Sequence, residues 1–293
     1  MAATEGLTSP DLPASARVGT PARRAGLALL LLPPMAWLVV AYLGSLAVLL
    51  VSAFWSTNSF TGAVVRNFTT DNLVRVFTDP VFRTATLRTV AVALTVTLIC
   101  ALLAVPLALY MAKIASPAVR LALVVAVTTP LWASYLVKAY AWRMMFAPDG
   151  PLSWATGHTP GYGLVATVVT LSYLWLPYMV IPVFAAFDRV PDALIDASSD
   201  LGASGLTTVR SVLAPLVFPG VVAGSIFTFS LSLGDYIAVQ IVGGKTQLLG
   251  NIIYGQLVTA NNQPLAAALS LIPLFAIVAY LLAMRRTGAL ETL

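Results

Sequence analysis

The chain has 293 residues, 59% of them hydrophobic and only 9% charged, where a soluble domain carries about a quarter charged residues. No single soluble core hides that deficit, so the composition points to an integral membrane protein. The net charge of +5 lies mostly at the ends of apolar runs, as membrane anchoring requires, and is no footprint of nucleic-acid binding. Cys100, the one cysteine, sits inside an apolar run without an internal disulfide partner and reads as a small packing residue.

Residues 1–22 are rich in Ala, Pro, Thr and Ser and lack apolar periodicity. A disordered tail is expected through residue 24. Arg23-Arg24 then precede the run Leu27–Phe54, which exceeds a signal-peptide core of roughly 7–15 residues. It reads as an uncleaved span behind a basic anchor. A span needs roughly 20 apolar residues, and five further stretches qualify: Leu87–Ala112, Val119–Trp142, Gly163–Phe187, Val212–Leu233 and Leu265–Met284. Pro106, Pro130, Pro177, Pro182, Pro219 and Pro273 fall inside them. Such prolines bend a span and free carbonyls that neighbours must satisfy.

Basic residues at the short loops give the orientation. With the N-terminus inside, Arg17, Arg23, Arg24, Lys113, Arg120, Arg189, Arg210, Arg285 and Arg286 lie on the cytoplasmic side. Arg66, Arg75, Arg83, Arg88, Lys138, Arg143 and Lys245 lie outside, two of them offset by Asp71 and Asp79 in the longer loop 55–86. Both termini are read as cytoplasmic, with residues 287–293 as a second tail.

Catalytic motifs are missing. His158, the only histidine, stands in the loop Pro148–Tyr162 with no second ligand for a metal. Gly243-Gly244-Lys245-Thr246 lacks the first glycine of a phosphate loop, because Val239 occupies that place. No cofactor is therefore expected on this chain, and it is not read as an enzyme.

The segment Pro191–Ser204 carries acids between two apolar runs. As a helix over about 191–203, Asp192, Asp196 and Asp200 form a stripe that Asp188 extends backwards. Leu194, Ala197 and Leu201 fall opposite it. Pro191 suits the first turn and Gly202 the end. A helix lying on an anionic leaflet would be basic, so this one faces a protein partner.

These residues resemble the EAA motif of permease subunits of binding-protein-dependent ABC importers. That motif runs Glu-Ala-Ala, three residues, Gly, nine residues, Ile-x-Leu-Pro. Here it reads Asp196-Ala197-Ser198, Gly202, then Val212-Leu213-Ala214-Pro215. Asp for Glu, Ser for Ala and Ala for Leu are departures, and Asp shortens the reach by a methylene. The resemblance implies an all-α, six-span permease domain over 25–286, of the type I ABC importer (MetI-like) fold. It also implies a coupling helix seated in an ATPase cleft, with Asp192, Asp196, Ala197, Ser198, Asp200, Leu201 and Gly202 at the contact. ATP and Mg then bind a partner ATPase dimer. A second, related permease subunit, an extracytoplasmic binding protein and membrane lipid complete the assembly in the bacterial inner membrane.

Thr128–Ser153, Ser232–Gln256 and Gln263–Ser270 resemble the spermidine/putrescine-type permeases. The resemblance implies polyamine as cargo; relatives carry thiamine, iron and phosphonate compounds. Intramembrane charges mark candidate sites. Lys138, on a face with Tyr135 and Trp142, and Asp235, beside Tyr236, are placed at the mouth of a path. Trp132, Tyr135, Tyr173, Trp175 and Tyr236 could hold an ammonium by cation–π contact. The alternative is that Lys138 snorkels, the rings form an interfacial belt, and Asp235 is solvated or paired with a base. A secondary transporter would instead need inverted repeats and charges at mid-depth, and neither stands out.

Overall fold

The computed structural model describes residues 21–58 and 61–287. The described residues divide into two compact units, before and after the boundary at Leu49. Pro21–Leu38 leads through a π turn at Val39–Leu43 into Gly44–Ser52; together these are α1. Residues 21–24, placed in the disordered tail by the sequence, are helical; the rest of that tail, residues 1–20, lies outside the described residues. Leu29–Ser52 is long and apolar enough to span a bilayer, and Leu30, Trp37, Val40 and Leu43 are all exposed.

In the second unit, β1 (Ser56–Thr57) pairs antiparallel with β2 (Val64–Val65), Ser56 opposite Val65 and Thr57 opposite Val64. The short helix α2 (Asp71–Thr78) follows. Asp79 then accepts a hydrogen bond from the Val81 amide at 2.9 Å. With Pro80 in the first turn, that cap starts α3, Pro80–Leu109 with a π turn at Tyr110–Ile114. The second span begins seven residues before the expected Leu87, because a strong cap, and not apolarity, sets where this helix starts.

The third span, expected over Val119–Trp142 with a bending proline at Pro130, is broken more sharply than a proline bend and three residues past it. It is α4 (Pro117–Trp132) and α5 (Tyr135–Met145), bent by 100°. Ala133 and Ser134 are extended (ψ 142° and 134°), so the carbonyls of the last α4 turn lose their helical partners. Lys138 repairs one of them, its Nζ donating to the Pro130 carbonyl at 2.9 Å.

Beyond a short helix α6 (Pro151–Thr156) come α7 (Leu164–Asp188), α8 (Asp192–Asp200), and α9, Gly205–Gly234 with a π turn at Val209–Leu213. Then follow α10 (Ile237–Val242), α11 (Leu249–Tyr254) and α12 (Gln263–Arg285). Among the described residues five helices are able to span, and the bent pair makes a sixth.

The core lies where α3, α7 and α9 meet. Val96, Cys100, Ala104 and Ala108 recur every four residues on one face of α3 and are fully buried against Leu171, Met179 and Val183 of α7. Cys100 is the packing residue expected, its thiol 3.4 Å from the Ser172 carbonyl. Three buried hydroxyls turn back onto their own helices, Thr89 to Ala85, Thr97 to Ala93 and Thr228 to Gly224, each at 2.7–2.9 Å, whereas those of Thr170, Ser172 and Ser232 are buried without a partner. The first three then need no water inside the bilayer.

Two glycines set the α7–α9 distance. A Cβ on Gly220 would stand 2.5 Å from Ala186 Cβ and 2.8 Å from the Pro182 carbonyl oxygen. A Cβ on Gly224 would meet Met179 Sδ at 2.6 Å. This small-xxx-small crossing lets two backbones touch. Gly220→Val is expected to force them apart, with an overpacking cost of roughly 1–3 kcal/mol and a lower melting temperature of the purified complex in detergent. Gly255→Ala is the control, since nothing lies within 4 Å of a Cβ there. A Gly220→Val protein melting with the parent would refute the tight crossing.

Candidate functional site

Two places gather the residues singled out in the sequence. The first is α8 and its roots. The chain leaves α7 at Asp188, buries Val190 and turns at Pro191 into α8. Lys113, at the end of α3, donates to the Val190 carbonyl and to Asp192, both at 2.6 Å. Its side chain is 10% exposed, that of Asp192 80%. Arg120 of α4 pairs with Asp188 at 2.5 Å and lies 5.0 Å over the Phe184 ring. At the other end Ser198 Oγ lies 2.9 Å from Thr208 Oγ1 on α9. Two spans, α3 and α9, therefore bond to this nine-residue helix directly, and α4 braces the end of α7 from which it departs.

The C-terminus of α8 closes as a Schellman motif. The Ala203 amide donates to the Ser198 carbonyl at 3.1 Å and the Gly202 amide to Ser199 at 2.8 Å. Gly202 takes φ +78°, a left-handed conformation that disfavours a side chain, although no atom lies within 4 Å of a Cβ there. Its role is the turn and not a close approach.

Only Ile195 and Ser198 along α8 are partly covered. Ala193, Asp196, Ala197 and Asp200 face away, and so do Leu194 and Leu201, the latter 88% exposed. The acidic stripe is split. Asp188 and Asp192 are tied down by bases of this chain, while Asp196 and Asp200 form no ion pair among the described residues. Sequence reading missed this division; Lys113 and Arg120 entered it only as topology markers, and nothing in their spacing reveals partners 68 to 79 residues away.

The second place is a cavity of about 310 Å³ lined by Tyr135, Trp175, Ser230, Gly234, Asp235 and Tyr236, among others. Asp235, the first residue after α9, is 8% exposed. Its Oδ2 accepts from the Tyr135 hydroxyl and its Oδ1 from the Ala238 amide at 3.0 Å. The Ala238 amide also reaches Tyr135 Oη at 3.2 Å. Tyr135 stacks on Trp175 with centroids 6.0 Å apart, and Tyr236 on Tyr254 at 4.9 Å. Asp235 is thus neither solvated nor paired with a base. The other residues named for the path lie elsewhere. Lys138 bridges the α4–α5 break, Tyr173 packs on Trp142 at 5.4 Å, and Trp132 ends α4 with 90% of its surface exposed.

The family described as "Binding-protein-dependent transport system inner membrane component" matches residues 59–285. "Inner membrane ABC transporter permease protein YdcU" of Escherichia coli (strain K12) is 41% identical over 287 residues, covering 92% of this chain and 91% of that protein. "Spermidine/putrescine transport system permease protein PotB" of the same organism is 30% identical over 245 residues, 80% and 88% of the two chains. In fold, the chain is similar to one in the crystal structure of a bacterial alginate ABC transporter in complex with an alginate pentasaccharide-bound periplasmic protein. There the TM-score is 0.69 at 16% identity, with 91% of this chain and 95% of that one covered. The permease fold expected from the sequence is the fold observed.

Lys113→Ala is expected to loosen α8, because it removes the clamp on Asp192 and strands the buried Val190 carbonyl, a loss of about 1–3 kcal/mol. Amide hydrogen exchange over residues 192–200 should accelerate. Asp196→Asn should leave that exchange unchanged. Equal protection in Lys113→Ala and the parent would show that the clamp holds nothing.

Proposed function

The chain belongs to the inner membrane components of binding-protein-dependent transport systems and is an ABC importer permease subunit; on that premise we propose that it conducts a polyamine, with α8 as the lever on which a separate ATPase acts. The termini and α8 are cytoplasmic in this reading. An extracytoplasmic binding protein delivers cargo at the Asp235 end, and a second, related permease subunit closes the path. ATP and Mg sit on the ATPase pair, so this chain performs no chemistry.

The observation that carries the proposal is the contrast between the root and the outer face of α8. The root is fastened to α3, α4 and α9 through Lys113, Arg120 and Thr208. The outer face presents small, apolar and acidic side chains with no cover. A partner that shifts such a helix shifts the spans tied to it. Coupling then requires only that ATP favour one arrangement of the ATPases and that the docked helix differ in fit between the two permease states.

Polyamine as the cargo draws support from two sides. PotB, a relative at 30% identity, carries that solute in its name. The cavity at Asp235 also pairs a buried carboxylate with the faces of Tyr135, Trp175 and Tyr236, the combination that holds alkylammonium groups.

The test is uptake of labelled spermidine and putrescine into proteoliposomes holding the complete transporter. ATP-dependent uptake of one of them is expected. Transport of neither would refute polyamine as cargo, and accumulation by the chain alone from a proton or sodium gradient would refute the lever. Gly202→Pro and Asp196→Lys should insert normally yet lower uptake by about 5–150-fold, the range of ordinary coupling free energies of 1–3 kcal/mol. Uptake and cargo-stimulated ATPase activity at the parent level in both variants would refute the role of α8.

A further inference from the structure

We propose that Tyr135 occupies, in the cargo-free permease, the place on Asp235 that a cargo ammonium takes, so that cargo binding unfastens the joint of the bent third span. The inference rests on the polyamine reading and adds to it a site and a consequence.

Asp235 holds its two oxygens in different employment. Oδ1 accepts the Ala238 amide in the first turn of α10, one residue ahead of the N-cap Tyr236, and so satisfies a free first-turn donor. That duty needs one oxygen. Oδ2 is bound by the Tyr135 hydroxyl, from another span and a hundred residues away. A carboxylate that is 8% exposed and met only by neutral donors is incompletely compensated. Charge-assisted hydrogen bonds are roughly twice as strong as neutral ones, so an ammonium competes well with the phenol for Oδ2.

No cation of the chain fills that place among the described residues. Lys138 lies one turn beyond Tyr135, but its ammonium is engaged with the Pro130 carbonyl at 2.9 Å. The ion pairs found among the described residues, Lys113–Asp192 and Arg120–Asp188, are at α8 and its root. The cavity that Asp235 lines has room for an alkylammonium chain and is lined also by Trp175 and Tyr236. Trp175 Nε1 is buried there without a hydrogen-bond partner.

The exchange gives up the Tyr135 hydroxyl bond to Oδ2 and the longer Ala238 amide contact to Tyr135 Oη, and forms an ammonium–carboxylate bond in their place. Oδ1 keeps the Ala238 amide, so α10 stays in place. What is lost is the tie between Asp235 and the first residue of α5, directly after the extended pair Ala133-Ser134. The far end of α5 stays fastened, because Arg143 donates to the Ile241 carbonyl at 2.6 Å and Ala139 and Phe146 pack with Ile241 and Val242. Release at Tyr135 therefore concentrates movement at the α4–α5 joint.

The test uses the complete transporter in proteoliposomes with spermidine. Tyr135→Phe keeps the ring and removes the competing hydroxyl. It is expected to raise the cargo-free ATPase rate several-fold while retaining spermidine uptake. Asp235→Asn is expected to lower uptake at least ten-fold. Parent-level cargo-free ATPase in Tyr135→Phe, or a loss of uptake matching that of Asp235→Asn, would overturn the exchange. Spin labels at Trp132→Cys and Gln240→Cys, both exposed positions, give a reading that needs neither variant. Their separation should change when spermidine and its binding protein are added, and an unchanged distance overturns the proposal. If the parent takes up spermidine and these readouts fail, only the exchange falls; if the parent takes up neither spermidine nor putrescine, the polyamine reading falls with it.

Discussion

Water does not reach the hydrocarbon core of a bilayer, so every interruption of a helix there must be repaired from within the protein. The bent third span shows the repair most directly. Two extended residues expose carbonyls at the end of α4, and Lys138 returns across the break to bind one of them. A side chain that would otherwise be an expensive intramembrane charge is thereby fixed, and it fixes the bend. The same constraint sends Thr89, Thr97 and Thr228 back onto their own carbonyls. It also sets one oxygen of Asp235 on a first-turn amide of α10. At these positions polar side chains serve the backbone of the chain itself.

Close helix contact is the second half of that constraint. Lipid drives helices together far less than water does, so contact must come from shape. Gly220 and Gly224 bring α9 onto α7 at backbone distance, and the Val96–Ala108 face of α3 fits beside them. This packed trio connects α8 at one end with Asp235 at the other, since α9 begins beside Thr208 and finishes at Gly234. A displacement of α8 is thus applied to the same element whose far end carries the buried carboxylate.

The number of spans and the existence of α8 were legible because both rest on local signals. Apolar runs of sufficient length cannot be anything else in a chain so poor in charge, and Pro191, the periodic aspartates and Gly202 bracket a helix that ends where its left-handed glycine stands. The break at Ala133-Ser134 was not legible. Pro130 resembles five other span prolines, and neither extended residue is a glycine or a proline. The cover on α8 was hidden for a different reason. A helix whose apolar side is turned outward, with Leu201 and Leu194 exposed, looks in sequence like one that buries it. At the cavity, Asp235, Tyr135 and Tyr236 were identifiable as types of residue, but Trp132 and Tyr173 were equally so, and only tertiary packing separates the three that meet from the two that do not.

The tethering of Asp188 and Asp192 by Arg120 and Lys113 changes what a neighbouring surface encounters. From outside, the rod offers two carboxylates, Asp196 and Asp200, a single turn apart, or about 6 Å between their β-carbons. Asp192 beside them is still 80% exposed but already matched by Lys113, so the charge left without a counter-ion is confined to the last turn of the rod.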